Sequence, residues 1–446
     1  MRALTGANRR VAVIGSGVSG LTAAWVLARD ADVVLYEADG RLGGHAHTHR
    51  VAARRDGSGD TLGVDSGFLV HNDRTYPTLL RLFGELGVRT QESDMSMSVR
   101  CDGCGLEYAG AKGPRGLFPE PGTLRRGRYL AMLGEILRFH RLARDELAAH
   151  GGDEERTLGE FLAAGRFSPY FTSHFMVPLV AAVWSCPPQR ALEYPARYLL
   201  TFLDHHGMLT VFGSPTWRTV TGGSATYVRA VAARMHAVRS ATPVRAVHRG
   251  ARTVAVRDDA DRVDFFDAAV IATHPDQALR LLESPTTAEA EILGALPYSV
   301  NHTILHTDES VLPRRSGARA SWNYRLPDCA AAPDRVLVSY DVSRLQRLTE
   351  SADRRFLVTL GDGDRVAPET VLATMTYEHP QYTPKSMAAR HRLREIGDHT
   401  VAFAGAYHGW GFHEDGALSG LRAAERIGGR WPRHPSAVVV AAGEPS

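Results

Sequence analysis

The most regular hydrophobic pattern of the chain lies near its N-terminus. Residues 11–14 are an apolar run, residues 15–20 are rich in glycine, and residues 21–28 are rich in alanine and leucine. Residues 32–36 form a second, mostly apolar run that is followed by Glu37. Short apolar runs are typical of buried parallel strands, and the alanine-rich segment between them favours a helix. The pattern therefore predicts a strand, a tight turn, a helix and a second parallel strand.

Later segments of the chain show both helical and alternating patterns. Helical periodicity recurs at residues 77–86 and 128–149. The longer segment carries many arginines, which fit either a face toward an anionic membrane surface or a solvated face of a packed helix. The solvated face is the favoured interpretation. Apolar runs and alternation predict strands at residues 242–247, 254–256, 264–266, 268–273, 300–306 and 336–340.

The glycine-rich turn after the first strand has the spacing G-x-G-x-x-G. Gly15 permits a tight turn, Gly17 lets the backbone approach a pyrophosphate, and Gly20 lets the helix pack close to the strand. The helix N-terminus offers free N–H groups to phosphates. At the tip of the second strand, Glu37 can accept hydrogen bonds from ribose hydroxyls and would repel a 2′-phosphate. These features predict a dinucleotide site at Gly15, Ser16, Gly17, Val18, Ser19, Gly20, Glu37 and Ala38.

The bulk properties limit the classes of function. A length of 446 residues suits two intertwined domains, and a net charge of +3 does not indicate nucleic-acid binding. The first ten residues do not resemble a signal peptide. The longest apolar stretch, residues 175–186, is interrupted by Pro178 and is too short for a bilayer core of about 30 Å. We therefore expect a cytoplasmic protein. Peripheral contact with a membrane is compatible with the sequence, and the oligomeric state stays open.

The cysteines offer a second candidate chemistry. Cys101 and Cys104 form a C-x-x-C pair, and Cys186 and Cys329 are single. A C-x-x-C pair fits a redox pair or half of a zinc site. Because no second pair lies at ligand spacing, no metal site is expected, and free thiols are the default in a reducing cytoplasm.

Several segments resemble the flavoprotein amine-oxidase superfamily, in the order in which that superfamily has them. The segments are the loop with Arg41, Gly43 and Gly44, residues 64–68, the W-R-T-V-T-G-G-S stretch at 217–224, residues 403–406, and residues 411–420. The closing G-F-H-E-D-G motif is most similar to a bacterial subgroup of FAD-dependent oxidoreductases whose genes often accompany those for cyclopropane fatty-acid synthases.

This resemblance implies an α/β protein with noncovalent FAD, since the closing motif contains no cysteine. A Rossmann-type FAD-binding domain would be built from discontinuous residues 8–75, 218–285 and 395–432. An inserted α+β substrate domain would comprise residues 76–217 and 286–394, and residues 433–446 would be a loose tail. Further cofactor contacts implied by the resemblance are Arg41, Gly43, Gly44, Val244, Thr273, Gly405, Asp415, Gly416 and Ala417.

Candidates for catalysis and for the substrate pocket lie near the closing motif. His408 and His413 flank a turn that would face the flavin, and either could orient substrate or move a proton; alternatively both bond the local backbone. Phe412 could face the substrate or pack on the flavin. Trp184, Trp322, Tyr407 and Trp410 could line an apolar pocket, although tryptophans at such positions lie more often in the core.

The reaction expected from these residues is hydride removal from a small-molecule substrate. The lack of clear acid–base machinery favours desaturation, oxidation or double-bond isomerisation of an apolar, lipid-like substrate. An amine oxidase that uses O2 and releases H2O2 is an alternative, weakened because Lys112 and Lys385 match no motif. A flavin-binding subunit without catalysis is a second alternative.

Overall fold

A computed structural model describes residues 9–149, 156–210, 213–331 and 333–432. The strands are β1 Arg10–Ile14, β2 Asp32–Tyr36, β3 Thr48–Ala52, β4 Thr61–Asp65, β5 His71–Asn72, β6 Thr90–Glu92, β7 Met97–Cys101, β8 Glu107–Ala109, β9 Trp217–Val220, β10 Ala237–Arg239, β11 Val244–Arg249, β12 Val254–Asp258, β13 Val263–Phe266, β14 Ala268–Ile271, β15 Tyr298–His306, β16 Trp322–Leu326, β17 Val338–Asp341, β18 Leu357–Leu360, β19 Val371–Pro380 and β20 Val401–Phe403. The tail predicted at 433–446 lies outside the described residues.

The α-helices are interleaved with these strands along the sequence. They are α1 Val18–Leu27, α2 Pro77–Leu86, α3 Gly113–Leu117, α4 Gly127–Ala148, α5 Leu158–Ala164, α6 Pro169–Phe171, α7 Val177–Trp184, α8 Pro188–Ala191, α9 Ala196–His205, α10 Ala225–Ala232, α11 Pro275–Leu281, α12 Thr287–Gly294, α13 Val342–Leu345, α14 Pro384–His391 and α15 His413–Arg426. The predicted helices at 77–86 and 128–149 are confirmed by α2 and α4, and the predicted strands are confirmed with ends shifted by up to two residues.

A five-stranded parallel sheet, in the order β10-β2-β1-β14-β20, forms the centre of one half of the molecule. Its side chains alternate between two buried layers. Val11 and Val13 pack with helices α1 and α15, whereas Ala12 and Ile14 pack with the β11–β13 meander and α11. Because both faces are covered, these strands are apolar throughout, as the sequence pattern required.

A seven-stranded mixed sheet, β19-β15-β18-β17-β16-β7-β8, forms the other half. Its pairs are antiparallel except for β16 and β7, which run parallel. The largest apolar core joins this sheet to helices α4 to α9. Buried Asp65 links the two halves: it accepts hydrogen bonds from the Ser224 N–H at 3.0 Å and from Gln346 Nε2 at 3.1 Å. Burial raises the pKa of Asp65 to about 6.

Glycines permit α1 to lie against both the turn that precedes it and the last helix, α15. A Cβ on Gly20 would collide with the carbonyl oxygen of Gly15, and a Cβ on Gly420 would collide with that of Ser19. Both obstacles are backbone atoms, which cannot rotate away as a side chain can. The close packing brings the N-termini of α1 and α15 to the same edge of the parallel sheet.

We expect Gly420→Ala to lower the free energy of unfolding by about 2–3 kcal/mol, because the added methyl group must push two helices apart. Chemical unfolding followed by circular dichroism measures this change. Gly134→Ala is the matched control: Gly134 is helical, and a Cβ there meets no atom within 4 Å. It should raise stability by about 0.5–1 kcal/mol through helix propensity. Equal effects of the two substitutions would contradict the packing argument.

Candidate functional site

A cavity of 440 Å³ lies at the carboxyl ends of β1, β2 and β14. The position is the expected one for a ligand of an open parallel sheet, since loops diverge there on either side of the sheet. One wall is the turn of residues 15–19, and the opposite walls come from β19 and from the segment that precedes α15. The cavity is therefore built from segments that are far apart in the sequence.

The N-terminus of α1 opens into this cavity. Gly17 is its N-cap, and among the described residues no side chain accepts a hydrogen bond there and no acidic residue lies in the first turn. The first N–H groups of the helix, with the positive end of its dipole, are thus available to an anion. The loop at Gly44 adds a close wall: a Cβ there would lie 3.2 Å from Gly17 Cα. This arrangement fits a pyrophosphate held by backbone N–H groups.

Glu37 sits at the tip of β2 and organises the same end of the cavity. Its Oε2 accepts hydrogen bonds from the Ser16 N–H at 2.9 Å and from Ser16 Oγ at 2.5 Å. The Gly43 N–H in turn donates to Ser16 Oγ at 3.0 Å. The carboxylate therefore ties the glycine-rich turn to the following loop and still lines the cavity, where it can accept ribose hydroxyls.

A second, smaller cavity of 160 Å³ adjoins the first. Its lining is mainly aromatic and aliphatic, and among the described residues that line it there is no Asp, Glu, Lys or Arg. The two cavities share the six residues His45, His379, Pro380, Gly411, Phe412 and His413. We call these six residues the junction. A molecule in the apolar cavity would reach the first cavity across the junction.

The junction histidines are neutral at pH 7. Burial lowers the pKa of His413 to about 3 and that of His379 to about 4, and it lowers the pKa of His45 well below the usual range. The ring of His413 stacks on Phe68 at 3.7 Å between centroids. Nε2 of His45 and Nε2 of His413 are buried without a hydrogen-bond partner in the described part of the chain. Buried polar atoms without a partner are rare in folded proteins, and a bound ligand or water is one explanation for them.

The structure distributes the predicted cofactor residues over two positions. Residues with atoms on the first cavity are Gly15, Ser16, Gly17, Val18, Ser19, Glu37, Ala38, Gly44, Val244, Thr273 and Gly405. The remaining ones lie behind its wall. Gly20 packs beneath the turn, and Arg41 donates to the Gly44 carbonyl at 2.9 Å, so it braces the loop that also contains Gly43. Gly416 and Ala417 are buried in α15.

The two acids of the closing motif bind backbone N–H groups. Asp415 Oδ2 accepts from the Phe412 N–H at 2.9 Å and so caps its own helix. Glu414 accepts from the N–H groups of Thr78 and Leu79, each at 3.0 Å, and so caps α2. Asp415 does not line the first cavity among the described residues, and its predicted contact with the cofactor stays a prediction. Sequence spacing could not reveal the α2 contact, since more than 300 residues separate the partners.

Of the residues predicted for catalysis and for the substrate pocket, some line the cavities and others do not. Phe412 and His413 line both cavities, and Trp184, Trp322 and Trp410 line the apolar one. His408 and Tyr407 line neither of these cavities. His408 is half-buried beside Tyr407, with 4.7 Å between ring centroids, and Tyr407 packs in the core beneath the parallel sheet. Their predicted site roles thus have no geometric support.

The residues of the site that the sequence did not predict include His45, Tyr377 and His379. His45 directly follows Gly43-Gly44, a signal that could have identified it. Tyr377 and His379 alternate on β19 and reach the site only because that strand ends beside the parallel sheet. The Tyr377 hydroxyl lies 2.7 Å from Ser66 Oγ. No local sequence motif identifies Tyr377 and His379 as site residues.

Comparisons with known proteins agree on one family. Residues 18–428 match the model described as flavin containing amine oxidoreductase. Cyclohexylamine oxidase from Brevibacterium oxydans IH-35A is similar with a TM-score of 0.67 and 18% identity, over 94% of this chain and 98% of that chain. CLA-producing fatty acid isomerase from P. acnes is similar with a TM-score of 0.64 and 14% identity, over 94% and 98%. A search of curated sequences gave no match.

Putrescine oxidase, whose structure was determined with putrescine bound, is similar at a TM-score of 0.65 and 16% identity, over 94% of this chain and 98% of that one. At these identities the likeness shows the fold alone. Among the described helices, none combines the length and apolar character needed to cross a bilayer. The family match extends over residues 18–428, and this chain therefore belongs to the flavin-containing amine oxidoreductase family, as an FAD-dependent oxidoreductase.

Proposed function

We propose that this oxidoreductase removes a hydride from an apolar, fatty-acyl or other lipid-like substrate, with desaturation, oxidation or double-bond isomerisation as the outcome. One observation carries the proposal: the cavity that adjoins the cofactor cavity has a mainly apolar lining, and none of the described residues that form it carries a charged side chain at neutral pH. Burial of a hydrocarbon chain in such a cavity is favourable by about 0.8 kcal/mol for each CH₂ group. A charged substrate would lose hydration there without a compensating partner.

The same lining argues against an amine as the substrate. A buried ammonium group is held most strongly where a carboxylate pairs with it. Among the described lining residues no carboxylate is present, so aromatic faces alone would have to hold the cation. Lys112 donates to the Arg319 carbonyl at 2.8 Å, and neither it nor Lys385 lines either cavity.

The residues of this chain would bind the cofactor and position the substrate beside it. Bound FAD would supply the hydride acceptor. The N-terminus of α1 and Glu37 would hold the dinucleotide, and the junction would place the reacting carbon next to it while excluding water. A histidine with a pKa of about 3, such as His413, is a weak base. A site with such weak bases fits a hydride transfer that requires little proton transfer to or from the protein.

The structural neighbours are compatible with both classes of substrate. The fatty acid isomerase and the two amine oxidases share the fold with this chain at similar TM-scores. Fold likeness alone therefore does not choose between them. The resemblance of the closing motif to the subgroup found near cyclopropane fatty-acid synthases supports a lipid substrate, and the mainly apolar lining of the second cavity supports it independently.

A lipid substrate could be taken from a membrane surface through α4. Three leucines are unusually exposed in this region. Leu124, in the turn before α4, is 56% exposed, and Leu130 and Leu137 of α4 are 41% and 60% exposed. Leu130 and Leu137 are two helical turns apart on one face, and the exposed Arg141 continues that face. An exposed row of leucines with an arginine fits the interface of an anionic bilayer. We propose peripheral binding through this face.

The first test concerns the cofactor. We expect Glu37→Ala to weaken FAD binding about 10-fold to 100-fold, because hydrogen bonds to a charged acceptor contribute about 1.5–3 kcal/mol. Asp39→Ala is the control, since Asp39 is exposed and its side chain lines neither cavity. Titration of the FAD-depleted protein with FAD measures the affinity, and heat or acid should release free FAD. Unchanged affinity in Glu37→Ala would exclude the proposed role.

The second test concerns the substrate. Unsaturated fatty acids and phospholipids should bleach the flavin anaerobically or return altered in mass spectrometry, whereas putrescine and cyclohexylamine should not react. Met208→Trp should lower kcat/KM for the lipid about 10-fold, because the indole fills the apolar cavity that Met208 lines. Val263→Trp, at an exposed strand position, is the control. Turnover of amines alone, with release of H2O2, would establish the amine-oxidase alternative instead.

The third test concerns the membrane. The full chain should float with vesicles of phosphatidylglycerol, and the double variant Leu130→Ser with Leu137→Ser should bind at least about 10-fold more weakly, since each leucine contributes about 1.5–3 kcal/mol when it is fully buried. Val263→Ser with Phe265→Ser, an exposed pair on the meander, is the matched control. Equal flotation of both double variants would rule out the α4 face.

A further inference from the structure

Four potential metal ligands meet at one point of the seven-stranded sheet, away from both cavities. Cys101 ends β7, Cys104 lies in the turn that leads to β8, and Cys329 lies in the loop after β16. His174 comes from a π-helical turn, Thr172–Met176. The four ligand atoms lie within 4.8 Å of one another. No metal was expected from the sequence because no second cysteine pair lies at ligand spacing, but the fold brings His174 and Cys329 to the C-x-x-C pair from two distant segments.

We propose that Cys101, Cys104, His174 and Cys329 bind one zinc ion as a closed structural site. Zinc bonds of about 2.3 Å to sulfur and about 2.0–2.1 Å to nitrogen place tetrahedral ligand atoms about 3.8 Å (S···S) and about 3.6 Å (S···N) apart. Cys101 Sγ and Cys329 Sγ are 3.8 Å apart, and Cys104 Sγ lies 3.6 Å from His174 Nε2. These two distances match tetrahedral coordination, and the other pairs lie within 4.8 Å.

The histidine is held in the orientation that a ligand requires. His174 Nδ1 lies 2.8 Å from Ser173 Oγ and 3.2 Å from the Tyr170 carbonyl oxygen, which leaves Nε2 to face the cysteines. The Tyr170 ring stacks on the imidazole with centroids 3.9 Å apart. Ligand histidines in zinc sites typically donate their second N–H to such a partner. A π-helical turn is itself a feature that recurs at functional sites.

The backbone around the cysteines is shaped for close approach. The Gly105 N–H donates to the Cys101 carbonyl at 2.9 Å, which closes the turn between the two cysteines. A Cβ on Gly103 would lie 2.8 Å from Asp328 Cα, so glycine lets this turn reach the loop that carries Cys329. The nearby Asp102 carboxylate is already engaged by Arg100 at 2.8 Å and Arg325 at 3.0 Å, and it does not compete as a ligand.

The site would fasten a helix of the apolar cavity to the sheet. The π-helical turn that carries His174 continues directly into α7, whose last turn contributes Ala182, Val183 and Trp184 to that cavity. Four protein ligands leave no position for substrate, so zinc here would stabilise and not catalyse. This inference does not depend on which substrate the enzyme uses.

Metal analysis of the full chain tests the proposal. Protein without a histidine tag, purified without chelator, should contain one zinc per chain, and cobalt in its place should give the intense visible bands of tetrahedral thiolate coordination. Cys329→Ser, at an exposed position, should bind zinc at least about 100-fold more weakly. Removal of a residue that only supports a ligand already weakens metal binding by up to about 100-fold, and removal of a ligand should weaken it at least as much. Cys186→Ala, a cysteine outside the cluster, should retain one zinc.

Two results would overturn the proposal. One is wild-type protein without stoichiometric zinc after growth and refolding in zinc. The other is a thiol count, under denaturing conditions with chelator, that is two below the four cysteines of the chain, because a disulfide would then join two of the proposed ligands. Four free thiols together with one zinc, and zinc loss confined to Cys329→Ser, would establish the site. FAD content serves as the check that the variants are folded.

Discussion

The close contact of α1 with its preceding turn and with α15 is the constraint on which the site depends. Backbone atoms of Gly15 and Ser19 occupy the space that side chains at Gly20 and Gly420 would need. Only with these glycines do the two helices converge, so that the N–H groups beginning α1 and the junction residues Phe412 and His413 face one cavity. The phosphate end and the reactive end of the site are thus positioned by packing of small residues.

The two cavities differ in the physical means by which they would hold a ligand. The first offers free N–H groups and the carboxylate of Glu37, which suit an anionic, hydroxyl-bearing cofactor. The second offers apolar surface and no charged side chain among its described lining residues. Between them stand histidines whose burial keeps them neutral. This separation of polar binding from apolar binding is the physical basis of the proposed chemistry.

The seven-stranded sheet contributes residues both to the cavities and to the cysteine cluster. On β19 it carries Tyr377 to the apolar cavity and His379 to the junction, and near its opposite edge it gathers the cysteine cluster on β7 and the loop after β16. Helix α7 connects the two regions, since it starts after His174 and ends at the apolar cavity. A metal at the cluster would therefore stabilise the cavity from outside, and the order of that helix would respond to loss of the metal.

The sequence by itself determined the features that local pattern encodes: the strand–turn–helix of residues 10–27, the acid at Glu37, the helices α2 and α4, and the family. It could do so because each depends on contiguous residues with a fixed period or spacing. Only the tertiary structure decided that Glu414 caps α2, that Tyr407 and His408 lie away from the cavities, and that His174 and Cys329 join Cys101 and Cys104. Those contacts join segments tens to hundreds of residues apart, and such distances leave no periodic trace in the chain.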